Sequence, residues 1–266
     1  MIRGLDHVAI AVRDFAAGVD GYRRLLGREP DLAPREGAER AWFRFPNMAL
    51  EVIAPNGEGA AGDRVRARLD AAGEGVWLAA FAVDDVAEAS RLMTRRGLAV
   101  EAAGALARVE AAGLSFALAS AHGVAASPAI GPASADVAAL DHIVITTPNP
   151  DRALGLYGAK FGLDLRLDRA NAQWGARQLF FRCGGAVFEV GASLKTPPSD
   201  DPDRFGGLAW RVTDPDGAHA RLAAEGFDVS EVRTGRKPGT KVFTVRDAPA
   251  GVPTLMIEQS PVLERA

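Results

Sequence analysis

Leu5-Asp6-His7-Val8-Ala9-Ile10 returns as Leu140-Asp141-His142-Ile143-Val144-Ile145, and this recurrence decides how the chain is read. The same offset carries Tyr22 to Tyr157 and Gly27 to Gly162. Further on, Leu50-Glu51-Val52 matches Phe188-Glu189-Val190, with Arg44 and Arg182 at the same distance before them. Agreement in residue type, order and spacing marks a duplication. The copies span 1–122 and 139–266. The stretch 123–138 between them is rich in Ala, Ser, Pro and Gly and reads as a linker.

Each copy divides again. The apolar alternation from His7 to Val12 predicts a strand. Asp14 is placed to cap a helix whose apolar face is Phe15, Val19, Tyr22, Leu25 and Leu26, with Gly27 as its stop. Arg40 to Phe45 and Ala49 to Ala54 follow as strands joined by the turn Pro46-Asn47. The second quarter has a strand over 76–83, a helix capped by Asp85, and a last strand over 114–119. The third has a strand over 141–147, a helix over 150–161, a strand over 163–169 and a hairpin over 176–193. The fourth has a strand over 207–213, a helix over 215–225, and strands over 228–233, 240–246 and 253–258. Strand, helix, then strands occurs four times, which predicts an α+β chain. Each unit makes a small, mostly antiparallel sheet with one helix on one face. Two units side by side make a cupped sheet able to enclose a small ligand.

Composition narrows the function. The 266 residues are 48% hydrophobic and 24% charged, enough for packed cores. Lys plus Arg number 31 against 34 Asp plus Glu, a net charge of −3, so the basic excess of a nucleic-acid binder is absent. Cys183 is the only cysteine, which excludes an intrachain disulfide and a thiolate zinc site. The first apolar run, Val8 to Val12, is too short for a secretion signal, and no stretch approaches the ~18 apolar residues of a membrane span. A soluble cytoplasmic protein, monomer or homodimer, is expected.

The quoted motifs, with Tyr22-Arg23-Arg24-Leu25-Leu26-Gly27 and Leu50-Glu51-Val52-Ile53-Ala54-Pro55, resemble the vicinal oxygen chelate superfamily. Glyoxalase I, methylmalonyl-CoA epimerase, extradiol dioxygenases and bleomycin-resistance proteins belong to it. The resemblance covers nearly the whole chain. It implies four βαβββ modules paired into two glyoxalase-like domains with cupped sheets. It also implies metal ligands on the concave faces, a His from a module's first strand and a Glu from its last.

Carried over residue by residue, the pattern is uneven. Module one has His7 and Glu51, module two Leu78 and Ala117, module three His142 and Glu189, module four Ala209 and Glu258. If modules pair within each half, the resemblance implies a metal held by His142, Glu189 and Glu258, with His7 and Glu51 left as a degenerate second site. A His with two carboxylates suits Mn²⁺, Fe²⁺, Co²⁺, Ni²⁺ or Mg²⁺ better than catalytic Zn²⁺. Swapped pairing would send Glu258 to His7 and Glu51 instead. The plainer alternatives are a structural His7, and Glu189 and Glu258 paired with Arg177, Arg182 or Arg246. Trp77 and Leu78 stand where the epimerase pattern has two histidines, which argues against that activity.

Three functions follow from the resemblance. The first is a metal-dependent lyase or isomerase, in which Glu189 or Glu258 shuttles a proton for a substrate with vicinal oxygens, through an enediolate-type intermediate. The second is a metal-free, small-molecule-binding protein of the bleomycin-resistance kind. The third is an extradiol dioxygenase, which lacks its second His at Ala209. Trp210 is expected to line the cavity. Arg236 and Lys237, in a four-cation run around Pro238-Gly239, are expected either to clamp an acidic ligand or to form a solvated turn.

Overall fold

The computed structural model describes residues 1–33, 37–103, 105–120, 135–235 and 239–258. Its first half runs β1 (Ile2–Ala11), α1 (Phe15–Leu26), β2 (Asp31–Leu32), β3 (Ala38–Phe45), β4 (Met48–Pro55), α2 (Ala60–Ala72), β5 (Gly75–Val83), α3 (Val86–Arg95), β6 (Val100–Ala103), β7 (Leu106–Ala111) and β8 (Leu114–Ser120). The second runs β9 (Val137–Thr146), α4 (Pro150–Ala153) continuing as π-helix over Leu154–Lys160, β10 (Asp164–Asn171), β11 (Ala176–Cys183), β12 (Ala186–Ser193), β13 (Arg204–Val212), α5 (Pro215–Ala224), β14 (Arg233–Thr234), β15 (Lys241–Val245) and β16 (Thr254–Glu258). Most of the expected linker lies outside the described residues, and its last two positions, Val137 and Ala138, already belong to β9.

Local signals place the four module helices. Asp14, Asp85, Asn149 and Asp214 each accept a hydrogen bond from a first-turn backbone N–H, which satisfies a donor the helix cannot. After α1 and after the π-helical turn, Gly27 and Gly162 adopt φ of 66° and 77°. A side chain disfavours that left-handed backbone, which explains why both halves keep glycine there.

The strands form two eight-stranded mixed sheets, ordered β2-β3-β4-β1-β5-β8-β7-β6 and β10-β11-β12-β9-β13-β16-β15-β14. Modules therefore pair within each half, through antiparallel β1–β5 and β9–β13. Alternation gives each strand two faces. Val8, Ile10 and Val12 enter a core shared by both halves. There Phe81 meets Phe188 at 5.5 Å and Phe45 meets Trp210 at 5.1 Å between ring centroids. The helix-bearing faces of the sheets thus meet each other. The concave faces, carrying His7 and His142, point away from this common core.

Three parts of the fold differ from the sequence reading. α2, β6 and β7 were not anticipated. The strand expected over 228–233 is reduced to Arg233–Thr234 plus a single bridge from Val229 to Val245. Trp210, expected at the ligand, is fully buried in the core between the sheets. It alternates with Ala209 and Arg211, so it belongs to the opposite face from His142.

Candidate functional site

A β-bulge builds the same small device in each half. On β1 the pairing with β5 slips between Leu5 and His7, leaving Asp6 as the extra residue. On β9 the slip against β13 leaves Asp141 extra, between Leu140 and His142. Each bulged aspartate faces its neighbour's ring, with Asp6 Oδ1 at 2.6 Å from His7 Nδ1 and Asp141 Oδ1 at 2.8 Å from His142 Nδ1. A carboxylate at Nδ1 holds a proton there and turns Nε2 outward. In both halves Nε2 then faces the glutamate of the parallel neighbouring strand. The separations are 3.6 Å to Glu51 Oε2 and 3.3 Å to Glu189 Oε2. The aspartates were missed as site residues, although Asp-His appears in both copies of the opening motif.

Beyond this pair the halves diverge. In the first, Arg40 donates to Glu51, and His7 packs edge-on to Trp42 with centroids 5.1 Å apart. His7 and Glu51 are 3% and 2% exposed. The helix α2 lies over this face, where Val65 and Leu69 pack against Ala11, Ala38 and Ile53. Ala9, Leu78, Ala80 and Ala117 close the rest as an apolar patch. His7 is therefore buried between Asp6, Trp42 and Glu51, and Glu51 is paired with an internal cation.

The second half keeps the pair but removes the cover. Between β12 and β13, where the first half has α2, the chain carries Pro197, Pro198 and Pro202 and forms no helix. Proline lacks an amide donor and biases its predecessor away from helix, so this segment cannot supply an equivalent plug. Gln178 stands in the place of Arg40 and donates Nε2 to Glu189 Oε1 at 2.7 Å. Arg169 donates to Gln178 Oε1 at 2.9 Å, and Arg211 donates to Asp141 Oδ2 at 2.7 Å. A continuous chain, Arg169–Gln178–Glu189–His142–Asp141–Arg211, crosses the concave face. Burial raises the Asp141 carboxyl, but hydrogen bonds from His142 and Arg211, with the Arg211 charge, outweigh it and bring the group to about 2.

Glu258 does not join His142 and Glu189. Val187 pairs with His142, and Glu189 lies two residues further along β12. In the fourth module Leu255 pairs with Ala209, so the corresponding position is Ile257. Glu258 pairs with Val212, a core residue, and is directed to the opposite face. There it accepts from the Lys241 backbone N–H at 2.8 Å. A one-residue shift in register exchanges the faces of a strand, and sequence matching did not resolve it. Among the described residues no three His, Cys, Asp or Glu side chains are arranged to hold a metal ion. Two donors, with Ala209 and Ile257 in the remaining positions, do not fit a resident catalytic metal. The arginines considered as partners are engaged elsewhere, Arg177 with Asp168 and Asp151, Arg246 with Asp228, and Arg182 with the Gly184 carbonyl. Arg236 and Lys237 lie outside the described residues.

Comparison with known proteins places this architecture. A family model described as the Glyoxalase/Bleomycin resistance protein/Dioxygenase superfamily matches residues 6–118 and again 141–244. A stretch of 62 residues is 42% identical to the ethylmalonyl-CoA/methylmalonyl-CoA epimerase of Cereibacter sphaeroides. That stretch is 22% of this chain and 46% of that protein, so the likeness spans just under half of the relative's length. The fold is similar to a variant of 4-hydroxymandelate synthase from Streptomyces coelicolor, with TM-score 0.76, 16% identity, and 97% and 93% of the two chains covered. It is also similar to a Mn(II)-bound glyoxalase from Novosphingobium aromaticivorans, with TM-score 0.70, 14% identity, and 97% and 82% covered. No described helix is long and apolar enough to cross a membrane. The family match over both halves, one to each cupped sheet, makes the chain a tandem member of the Glyoxalase/Bleomycin resistance protein/Dioxygenase superfamily.

Proposed function

We propose that the chain binds a small organic molecule on the concave face of its second half, without a resident metal, in the manner of a bleomycin-resistance protein. The observation that carries this is the unequal covering of two otherwise matching faces. α2 fills the first, and the proline-rich segment leaves the second open. The open face offers a polar centre in His142 and Glu189 and apolar neighbours in Leu167, Phe180 and Ile257. A few convergent polar groups on an apolar wall orient an organic ligand.

Metal retention tests this reading. Chelator-treated protein would be reconstituted in turn with Mn²⁺, Fe²⁺, Co²⁺, Ni²⁺, Mg²⁺ and Zn²⁺, desalted and analysed for bound ion. Two protein donors are expected to retain less than about a tenth of an equivalent. One equivalent retained by the parent and lost in Glu189→Ala would overturn the metal-free reading and favour a metal-dependent lyase or isomerase.

The Asp141–His142–Glu189 chain favours a second reading, an isomerase or lyase that moves a proton with its own side chains. A carboxylate facing an imidazole nitrogen can exchange a proton with it, and Glu189 is the member of the chain placed to reach a ligand. Methylmalonyl-CoA incubated with the protein in D₂O separates the two. No deuterium at C2 is expected from a binding protein, whereas incorporation abolished by Glu189→Gln would establish the catalytic reading for that substrate class.

A further inference from the structure

The concave face of the second half carries a cation, Arg169, that has no ion-pair partner among the described residues. Arg169 on β10 pairs with Gln178 in register, so its side chain shares the face of Glu189 and His142. Among the described residues it makes one hydrogen bond, from Nη2 to Gln178 Oε1, and its guanidinium stacks over Trp174 at 5.4 Å from the ring centroid. Its Nε is buried without a hydrogen-bond partner among the described residues. No carboxylate forms an ion pair with it among the described residues. The adjacent Asp168, on the other face, is held by Arg177 through two bonds of 2.9 and 2.7 Å. A partly buried guanidinium with no counter-ion is costly, and a bound anion would remove that cost.

The surroundings define the rest of the guest. Leu167 and Trp174 flank Arg169 and are 44% and 46% exposed, so apolar surface lies beside the cation. Phe180 lies across from Leu167 on the same face. In the first half the position matching Arg169 is Ala33, whose N–H bonds to the Arg40 carbonyl as the register requires. A cation at this edge position therefore occurs in the half whose face is open and not in the covered one.

We propose that Arg169 is an anion subsite at the β10 edge of this face, and that the ligand is an organic acid with a planar apolar body. The acid meets the guanidinium, the planar body lies along Leu167, Phe180 and Trp174, and its far end reaches the His142–Glu189 pair. The β10 and β12 backbones are two strand spacings apart, about 10 Å, so a ligand of two fused or linked rings spans the distance. This subsite rests on the reading of the second concave face as the binding face.

Two fluorescent probes of nearly identical skeleton test it, anionic 1-anilinonaphthalene-8-sulfonate and neutral N-phenyl-1-naphthylamine, titrated into the full chain. The parent is expected to bind the anion at least about tenfold more tightly. Arg169→Gln should abolish that preference while leaving the neutral probe within about twofold, and Arg169→Lys should keep part of it. Gly191→Trp, which adds bulk beside Glu189 where a Cβ meets only one carbonyl oxygen at 4.0 Å, should remove both probes while circular dichroism stays unchanged. Equal binding of the two probes by the parent, or equal weakening of both in Arg169→Gln, overturns the anion subsite and leaves the binding face standing. Undiminished binding of both probes in Gly191→Trp overturns the binding face itself.

Discussion

Gln178 donates its amide to Glu189 at 2.7 Å, in the place where the first half presents the Arg40 guanidinium to Glu51. The two glutamates occupy matching positions beside matching histidines, yet one is neutralised from within and the other is not. This single exchange separates an internal ion pair from a carboxylate held by a neutral amide. A buried pair loses heavily when one partner is removed, because the remaining charge is left without solvent or counter-ion.

Arg40→Gln should therefore destabilise the protein by about 2–4 kcal/mol, since Glu51 is sealed under α2. The matching Gln178→Ala should cost only about 1 kcal/mol, because it removes a neutral amide hydrogen bond and not the counter-ion of a sealed carboxylate. Urea unfolding of the two variants beside the parent checks the contrast. Equal effects would mean that the two glutamates share one environment.

Asp141→Asn should lower stability in a pH-dependent way. The folded carboxyl sits at about 2, below the ordinary value of 3.8. Its contribution is thus fully present above the unfolded value and is lost as pH falls towards 2. A shift of this size corresponds to about 2–3 kcal/mol at neutral pH. Unfolding free energies at pH 7 and pH 2.5 should show a gap between parent and variant that narrows at the acid end.

Leu69→Ala should cost about 2–4 kcal/mol, because Leu69 is 2% exposed where α2 covers the first concave face. Leu194→Ala, in the segment that replaces α2, should stay within about 0.5 kcal/mol because Leu194 is 47% exposed. Thermal unfolding of both variants measures whether only one face is plugged.

Cys183 should be inert in the native protein. Burial pushes its thiol up to about 12, so almost no thiolate exists at pH 8. Ellman's reagent should find no thiol in the folded chain and one after unfolding in urea. Rapid reaction of the native protein would contradict the packing around β11.

Much of the fold could be read in advance because its signals are local. The helix caps Asp14 and Asp85, the stop at Gly27 and the hairpin around Pro46-Asn47 act over a few residues, and the repeat displays such signals in several modules. The strands β6 and β7 escaped because Val100–Ala103 and Leu106–Ala111 carry Ala and Glu in place of a clear apolar alternation. The helix α2 escaped because only Val65 and Leu69 mark its buried face. The His142–Glu189 pair follows from the family resemblance carried onto the repeat, while Asp141 required the bulge that turns it towards the ring.

The sequence by itself determined the duplication, the module order and the family, since repeat spacing and capping residues survive without knowledge of packing. Tertiary structure decided what could not be read along the chain. Strand register sent Glu258 to the face away from His142 and gave Ile257 the position it was expected to fill. Packing between the sheets took Trp210 into the core. The covering of one concave face by α2, and the proline-rich segment that cannot cover the other, left the second half as the open one. Register, face and cover depend on residues distant in sequence, and one position along a strand is enough to reverse which side of the sheet a side chain serves.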